Sequence, residues 1–371
     1  MKSLVSQMKL PSRMLALALA FGAAGPSCAG KAQIAADLSR AAATAPPADG
    51  DAQLLFTAGF EGVSLGRPNG GWQTLSGGGW PPRVWGGGGA LQMLTGLPNT
   101  DPNVSEYLHN EIRTMAGPGQ EKVSALCQTL KRRGANVTQV PLLLTPAREE
   151  GDFYTSAWIY LQPDLAAQLD NTPTPDGGPV NWRAFWSFKT AGDYRVGVAI
   201  LRDTGGDPYW LAQGDNDANG GLPKTIYWRQ ENRHVPVPAG RWTHVETFTH
   251  RSAGGEGRFW IAIDGRTLFD RRGPNVGIAR APINRIFLST VYTNGVTPAW
   301  QCVDRVAIFQ GMPSATTRAA LARGQERAAA LHGPGRRQRT GTSEQAPVSD
   351  VASRSARRSS GTSVLSWIEW L

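Results

Sequence analysis

Between residues 51 and 313 the chain breaks into short runs rich in aromatic and β-branched residues, each closed by Gly, Pro, Asn or Asp. Phe153 to Leu161, Tyr194 to Leu201, Arg241 to His250, Gly257 to Asp264, Arg285 to Val291 and Cys302 to Gln310 all read as strands. Asp264-Gly265 sits between two of these runs and predicts a tight hairpin. Helical spacing is confined to Ser124 to Arg133 and Leu161 to Leu169. The 44 glycines and 26 prolines fit a chain of many turns. Strands without alternating helices predict an all-β protein, either a sandwich or a barrel. The length of this segment suits a large two-sheet jelly roll of antiparallel strands better than an immunoglobulin-sized module.

The ends have a different character. Lys2, Lys9 and Arg13 precede an apolar run from Met14 to Ala24, too short to span a bilayer, and small residues at Ser27 and Ala29 follow. Residues 1–29 therefore read as a signal peptide cut after Ala29, with lipidation at Cys28 as the alternative. The expected location is secreted or periplasmic, with no integral membrane span. Residues 30–50 are an Ala-rich linker. Residues 314–371, with Arg336-Arg337-Gln338-Arg339 and a Ser/Arg stretch, read as a basic disordered tail. The net charge of +9 resides in these ends, because residues 51–313 hold 24 Lys/Arg against 23 Asp/Glu. A folded body without a cationic excess argues against nucleic acid as a partner.

With the leader removed, Cys127 and Cys302 remain. They form either a disulfide, which an export compartment permits, or two separate buried thiols. No Cys/His spacing suggests zinc.

The segment 237–270, VPAGRWTHVETFTHRSAGGEGRFWIAIDGRTLFD, resembles the back half of concanavalin A-like lectin/glucanase domains. The stretches FLSTVYTNG and AWQCVDRVAIFQGMP are similar to the last strands of that superfamily, and FTAGFEGVSLG to its first. The resemblance implies a concanavalin A-like jelly roll over 51–313 that faces carbohydrate. Alginate and glucuronan lyases are its functional analogues.

Side chains alternate between the faces of a strand. In SEYLHNEIRT this places Tyr107, His109, Glu111 and Arg113 together, a suitable floor for an acidic sugar. Asn110 to Arg113 also resembles the Arg-x-Glu strand of alginate-lyase-like enzymes, although neither Gln-x-His nor Tyr-x-Lys-x-Gly-x-Tyr accompanies it. In NWRAFWSFKT, Arg183, Phe185, Ser187 and Lys189 fall on one face, with Trp182, Ala184, Trp186 and Phe188 as core on the other. The expected catalytic set is His109, Arg113, Lys189 and Tyr107. His109 or a tyrosine would take the sugar C5 proton, and the cations would stabilise the charge that develops beside the carboxylate. Glu111, Arg183, Tyr209, Trp210, Tyr292 and Trp300 are the expected substrate contacts. His244 and Glu246, ~7 Å apart on one face of their strand, read as scaffold or as an acid/base pair.

The Glu-x-Asp-x-x-Glu strand of retaining glucanases is missing, as is a Gly-x-Ser-x-Gly elbow. Asp215, Asp217 and Asn219, followed by Gly220, have the spacing of a loop that wraps a structural Ca²⁺; the same residues also favour a plain turn. No cofactor is expected beyond that ion. The function implied is a lyase cleaving a uronate-containing polysaccharide by β-elimination. The alternative is a non-catalytic, lectin-like carbohydrate-binding module of the cell envelope.

Overall fold

The computed structural model describes residues 52–66, 72–78, 80, 91–94, 104–132, 139–144, 151–169, 181–190, 192–217, 224–277, 280–293 and 295–324. The expected signal peptide, the linker, Asn219 and the tail beyond 324 lie outside them. The strands are β1 (Gln53–Ala58), β2 (Val63–Leu65), β3 (Trp72–Gly77), β4 (Leu91–Leu94), β5 (Leu108–Ala116), β6 (Lys122–Leu130), β7 (Gln139–Leu144), β8 (Asp152–Leu161) and β9 (Trp182–Thr190). They continue as β10 (Arg195–Arg202), β11 (Pro208–Asp215), β12 (Ile226–Asn232), β13 (Trp242–His250), β14 (Arg258–Ile263), β15 (Arg266–Arg272), β16 (Ile283–Thr293) and β17 (Ala299–Gln310). Among the described residues three short helices accompany them: α1 (Val104–Tyr107), α2 (Leu165–Gln168) and α3 (Ala315–Ala322).

The strands form two antiparallel sheets. One is eight-stranded in the order β15-β14-β13-β8-β17-β6-β5, with β1 paired to β17. The other is nine-stranded in the order β12-β11-β10-β9-β16-β7-β4-β3-β2. The protein is an all-β sandwich, as the pattern of short strands predicts. Its core is the layer between the inner faces: Phe185, Trp186, Phe188, Val196, Val198 and Trp210 from one sheet meet Phe153, Ile159, Val245, Phe259, Ile261 and Val303 from the other. Trp186 stacks on Phe259 across the gap, with centroids 5.4 Å apart. Emptying such a site, as in Phe259→Ala, costs about 3–5 kcal/mol.

The hairpin between β14 and β15 turns on Asp264 (φ 49°) and Gly265 (φ 73°). Two consecutive positive-φ residues match the type I′ turn that the Asp-Gly pair predicts. Cys127 and Cys302 are direct cross-strand partners on β6 and β17, and they are joined by a disulfide.

Three expectations fail for identifiable reasons. Ser124 to Arg133 is strand β6 up to Leu130, not helix. Both faces of β6 are buried, so its apolar residues lose the alternation that marks a strand. The start of the expected tail is ordered instead. Residues 315–322 form α3, capped by the Ser314 side chain, and Leu321 packs with Tyr154, Phe248, Trp260 and Phe309 on the outer face of the eight-stranded sheet. Finally, β9 carries a bulge: Trp186 pairs with Val198 and Ala184 with Ala199, leaving Phe185 as the extra residue. Phe185 and Trp186 both enter the core, so every residue before the bulge is on the face opposite to the one alternation predicts. Trp182 and Ala184 face outward, and Arg183 faces inward.

Candidate functional site: two outer faces

The expected site residues fall into three places. His109, Glu111 and Arg113 lie on β5, the edge strand of the eight-stranded sheet, and point to its outer face. Ile112, between two of them, packs against the core. Lys189, Tyr209 and Tyr292 lie on the outer face of the other sheet, away from β5. Arg183 and Trp210 are inside. One catalytic centre cannot contain His109, Arg113 and Lys189 together, and Arg183 cannot touch a ligand on either surface. Trp210, expected to stack on sugar, is fully buried against Phe185, with centroids 4.9 Å apart. Tyr107 ends α1 rather than sharing the β5 face; Arg132 covers its ring at 4.6 Å.

On the eight-stranded sheet, two rows of cross-strand partners build a platform. One row runs Glu111, Cys127, Cys302, Tyr160, Trp242; the next runs His109, Thr129, Trp300. Trp300 stacks on Tyr160, with centroids 5.8 Å apart and planes 11° from parallel. The Arg113 guanidinium lies 5.6 Å from the Trp300 centroid, within cation–π range. Arg113 Nε donates to Glu111 Oε1 at 2.8 Å, and His109 Nε2 lies 3.4 Å from Glu111 Oε2. Burial pushes the Glu111 carboxyl up; Arg113 and His109 more than offset this and hold it below its ordinary value. The His109 side chain is 48% exposed and that of Arg113 41%. His109, Glu111, Arg113 and Trp300 are among the site residues expected from the sequence; Tyr160 is not, and its only signal is its place in an apolar strand.

The outer face of the nine-stranded sheet has similar residue types in a different state. Lys189, Arg195 and Asp215 are neighbours in one row of β9, β10 and β11. Arg195 grips Asp215 through Nε at 3.0 Å and Nη2 at 2.7 Å, and Lys189 Nζ donates to Asp217 at 2.9 Å. All four side chains are buried. Burial pulls the Lys189 amine down to about 8, against the opposing pull of Asp217. Asp215 further accepts from Gln213 Nε2 and from the Asp217 amide, so the two carboxylates are already neutralised and bonded. The third residue of the calcium expectation, Asn219, lies outside the described residues; among the described residues no group of three or more His, Cys, Asp or Glu side chains is placed to hold a metal ion. Next along this face, Tyr292 packs edge-on against Trp182 at 4.7 Å, and Arg233 lies over Tyr209 at 3.6 Å. Tyr209 and Tyr292 are buried.

His244 and Glu246 face the underside of α3. Ser156 Oγ and His244 Nε2 are 2.7 Å apart, Tyr154 donates to Glu246 at 2.8 Å, and Arg318 of α3 reaches Glu246 at 3.4 Å. Burial pushes the His244 imidazole below its ordinary value. The group joins helix to sheet and is closed to a polymer.

No family model matches this sequence, and no curated protein matches it. Solved structures do. An endo-β-1,4-glucuronan lyase from the fungus Trichoderma reesei aligns over 56% of this chain and 91% of its own, at 11% identity and a TM-score of 0.40. Alginate lyase Aly36B aligns over 54% of this chain and 86% of its own, at 13% identity and a TM-score of 0.35. The binding domain of botulinum neurotoxin DC, solved with rat synaptotagmin II, aligns over 59% of this chain and 46% of its own, at 12% identity and a TM-score of 0.34. The fold class itself rests on the strand order and registers described above.

Proposed function

We propose that this protein engages a uronate-bearing polysaccharide on the outer face of its eight-stranded sheet, as a lectin-like binding module. The observation that carries the reading is the stacked Trp300–Tyr160 pair bordered by Arg113, Glu111 and His109. A sugar ring offers a flat C–H face to the negative face of an aromatic ring. A uronate adds a carboxylate, which the planar Arg fork holds with two parallel hydrogen bonds. His109 is exposed and Trp300, Tyr160, Glu111 and Arg113 are half-buried, so the platform lies at the surface of the sheet, where a polymer needs no threading to reach it. An export compartment suits the Cys127–Cys302 bridge.

The test is calorimetric titration with glucuronan and alginate oligosaccharides beside a neutral β-glucan. The acidic oligomers bind more tightly, and the preference shrinks as salt rises. Arg113→Ala abolishes the preference and leaves the fold intact. Equal affinity for acidic and neutral oligomers in the wild-type protein would sink the reading.

A second reading, β-elimination on the same polymer class, is favoured by Lys189. Its amine, pulled down to about 8 by burial, would act as proton acceptor only once a substrate opens the site and displaces Asp217, which holds it at 2.9 Å; Tyr209 and Tyr292, also buried, share its sheet face. The base would take the C5 proton, the C4–O bond would break with its electrons leaving on the oxygen, which takes up a proton and departs as the hydroxyl of the released sugar, and the new C4=C5 double bond would absorb in the ultraviolet. Appearance of that chromophore, lost in Lys189→Met but kept in Arg113→Ala, would place catalysis on the nine-stranded sheet; its absence with every acidic polymer leaves the binding module.

A further inference from the structure

The ladder between β8 and β17 stops at Leu161 and Gln301, one residue short of Trp300. Trp300 therefore has no β8 partner for its peptide groups, and backbone groups left unpaired inside a protein are costly. Side chains take over. The Trp300 N–H donates to Gln162 Oε1 at 2.6 Å, and the Trp300 carbonyl accepts from Arg183 Nη2 at 2.8 Å. Arg183 Nη1 donates to the same Gln162 oxygen at 2.9 Å, so one guanidinium ties both peptides that flank the Trp300 side chain. Further bonds, to Gln301 at 2.9 Å and Gln168 at 3.1 Å, anchor it to β17 and α2. Gln162 is itself oriented by its donation to Asp164 at 2.9 Å.

We propose that Arg183 is a positioning residue: from inside the sandwich it fixes the backbone of Trp300 and so sets the tilt of the ring that the glycan meets on the outer face. This rests on the platform reading given above. The energetics point the same way. Arg183 is fully buried, and its hydrogen-bond partners are neutral amide and carbonyl oxygens rather than carboxylates. A buried cation held by neutral groups is a poor way to gain stability compared with an apolar side chain. What it provides is a rigid planar fork spanning two peptides, which a lysine cannot reproduce.

The experiment is a double-mutant cycle read by calorimetric titration with a glucuronan oligosaccharide, giving affinity and stoichiometry separately. Trp300→Ala weakens binding about 10-fold or more, as loss of a central aromatic anchor does. Arg183→Lys weakens it about 3- to 10-fold at unchanged stoichiometry, the worth of one or two hydrogen bonds. The double variant binds no more weakly than Trp300→Ala alone, because Arg183 acts only through the ring. Additive losses, or an Arg183→Lys protein with wild-type affinity, would overturn the proposal. A purely structural role would lower stoichiometry and melting temperature without this non-additivity. Should Arg183→Lys not fold, Gln162→Met removes the acceptor of the Trp300 N–H; the same non-additivity supports the proposal, and additivity overturns it. Wild-type binding by Trp300→Ala itself would remove the platform reading, and this proposal with it.

Discussion

The two outer faces of the sandwich use arginine, an acidic partner and aromatic rings, yet to opposite ends. On the nine-stranded sheet Arg195, Lys189, Asp215 and Asp217 are buried and satisfy one another. On the eight-stranded sheet Arg113, Glu111 and His109 are paired but open to water. The difference teaches that a charged motif in a strand says little until its burial is known. Buried, each charge needs its partner to survive, and the set becomes part of the framework. Exposed, the pairing is worth little and can be exchanged for a ligand's carboxylate.

The sharpest way to break this contrast is to remove one carboxylate from each face. Asp215→Asn takes away the carboxylate that Arg195 grips at 2.7 Å, leaving the buried cation only Asp217 at 3.4 Å, and should cost about 3 kcal/mol in urea unfolding. Glu111→Gln should cost less than about 1 kcal/mol, since its pair is exposed. Similar losses at the two sites would contradict the distinction. The disulfide comes next. It lies in the row between Glu111 and Tyr160 and closes a loop between residues 175 apart in sequence. Replacing both cysteines by serine should lower stability by about 2–4 kcal/mol. Unaltered stability would mean that the bridge adds nothing to the platform's frame.

Smaller effects appear in pH dependence, with opposite signs. Lys189 sits near 8 in the folded protein against an ordinary 10.5, so between those values the unfolded chain binds more protons and stability rises with pH. Lys189→Met should flatten that rise. Asp304, on the eight-stranded sheet beside Arg305, is pushed up from 3.8 to about 7; burial is the main cause, opposed by the Arg305 amide and charge and reinforced by Glu61. Between 3.8 and about 7 the folded state holds the extra proton, so stability falls as pH rises. Asp304→Asn should remove that fall, and a stability profile unmoved by either substitution would refute the assignment of both groups.

Much of the fold was legible in the sequence because short aromatic and β-branched runs between turn residues have few other solutions. The strands around Trp158, Val198 and Trp242 and the Asp264-Gly265 hairpin follow directly. The site was less legible. Alternation correctly gathers His109, Glu111 and Arg113, but it cannot say which sheet β5 joins, since register between distant strands is set by packing. The single extra residue Phe185 inverts the prediction for Arg183, turning an expected sugar contact into an internal brace. The Asp215/Asp217 pattern looks like a cation loop in sequence because its partners, Arg195 and Lys189, lie on neighbouring strands.

Hydrogen exchange with and without a glucuronan oligosaccharide tests the central claim most directly. β5 is an edge strand, so it should exchange readily in the free protein. Slowed exchange in 108–116 and 299–303, with 182–190 and 208–215 unchanged, is the predicted outcome. Protection confined to 182–190 and 208–215 would contradict it.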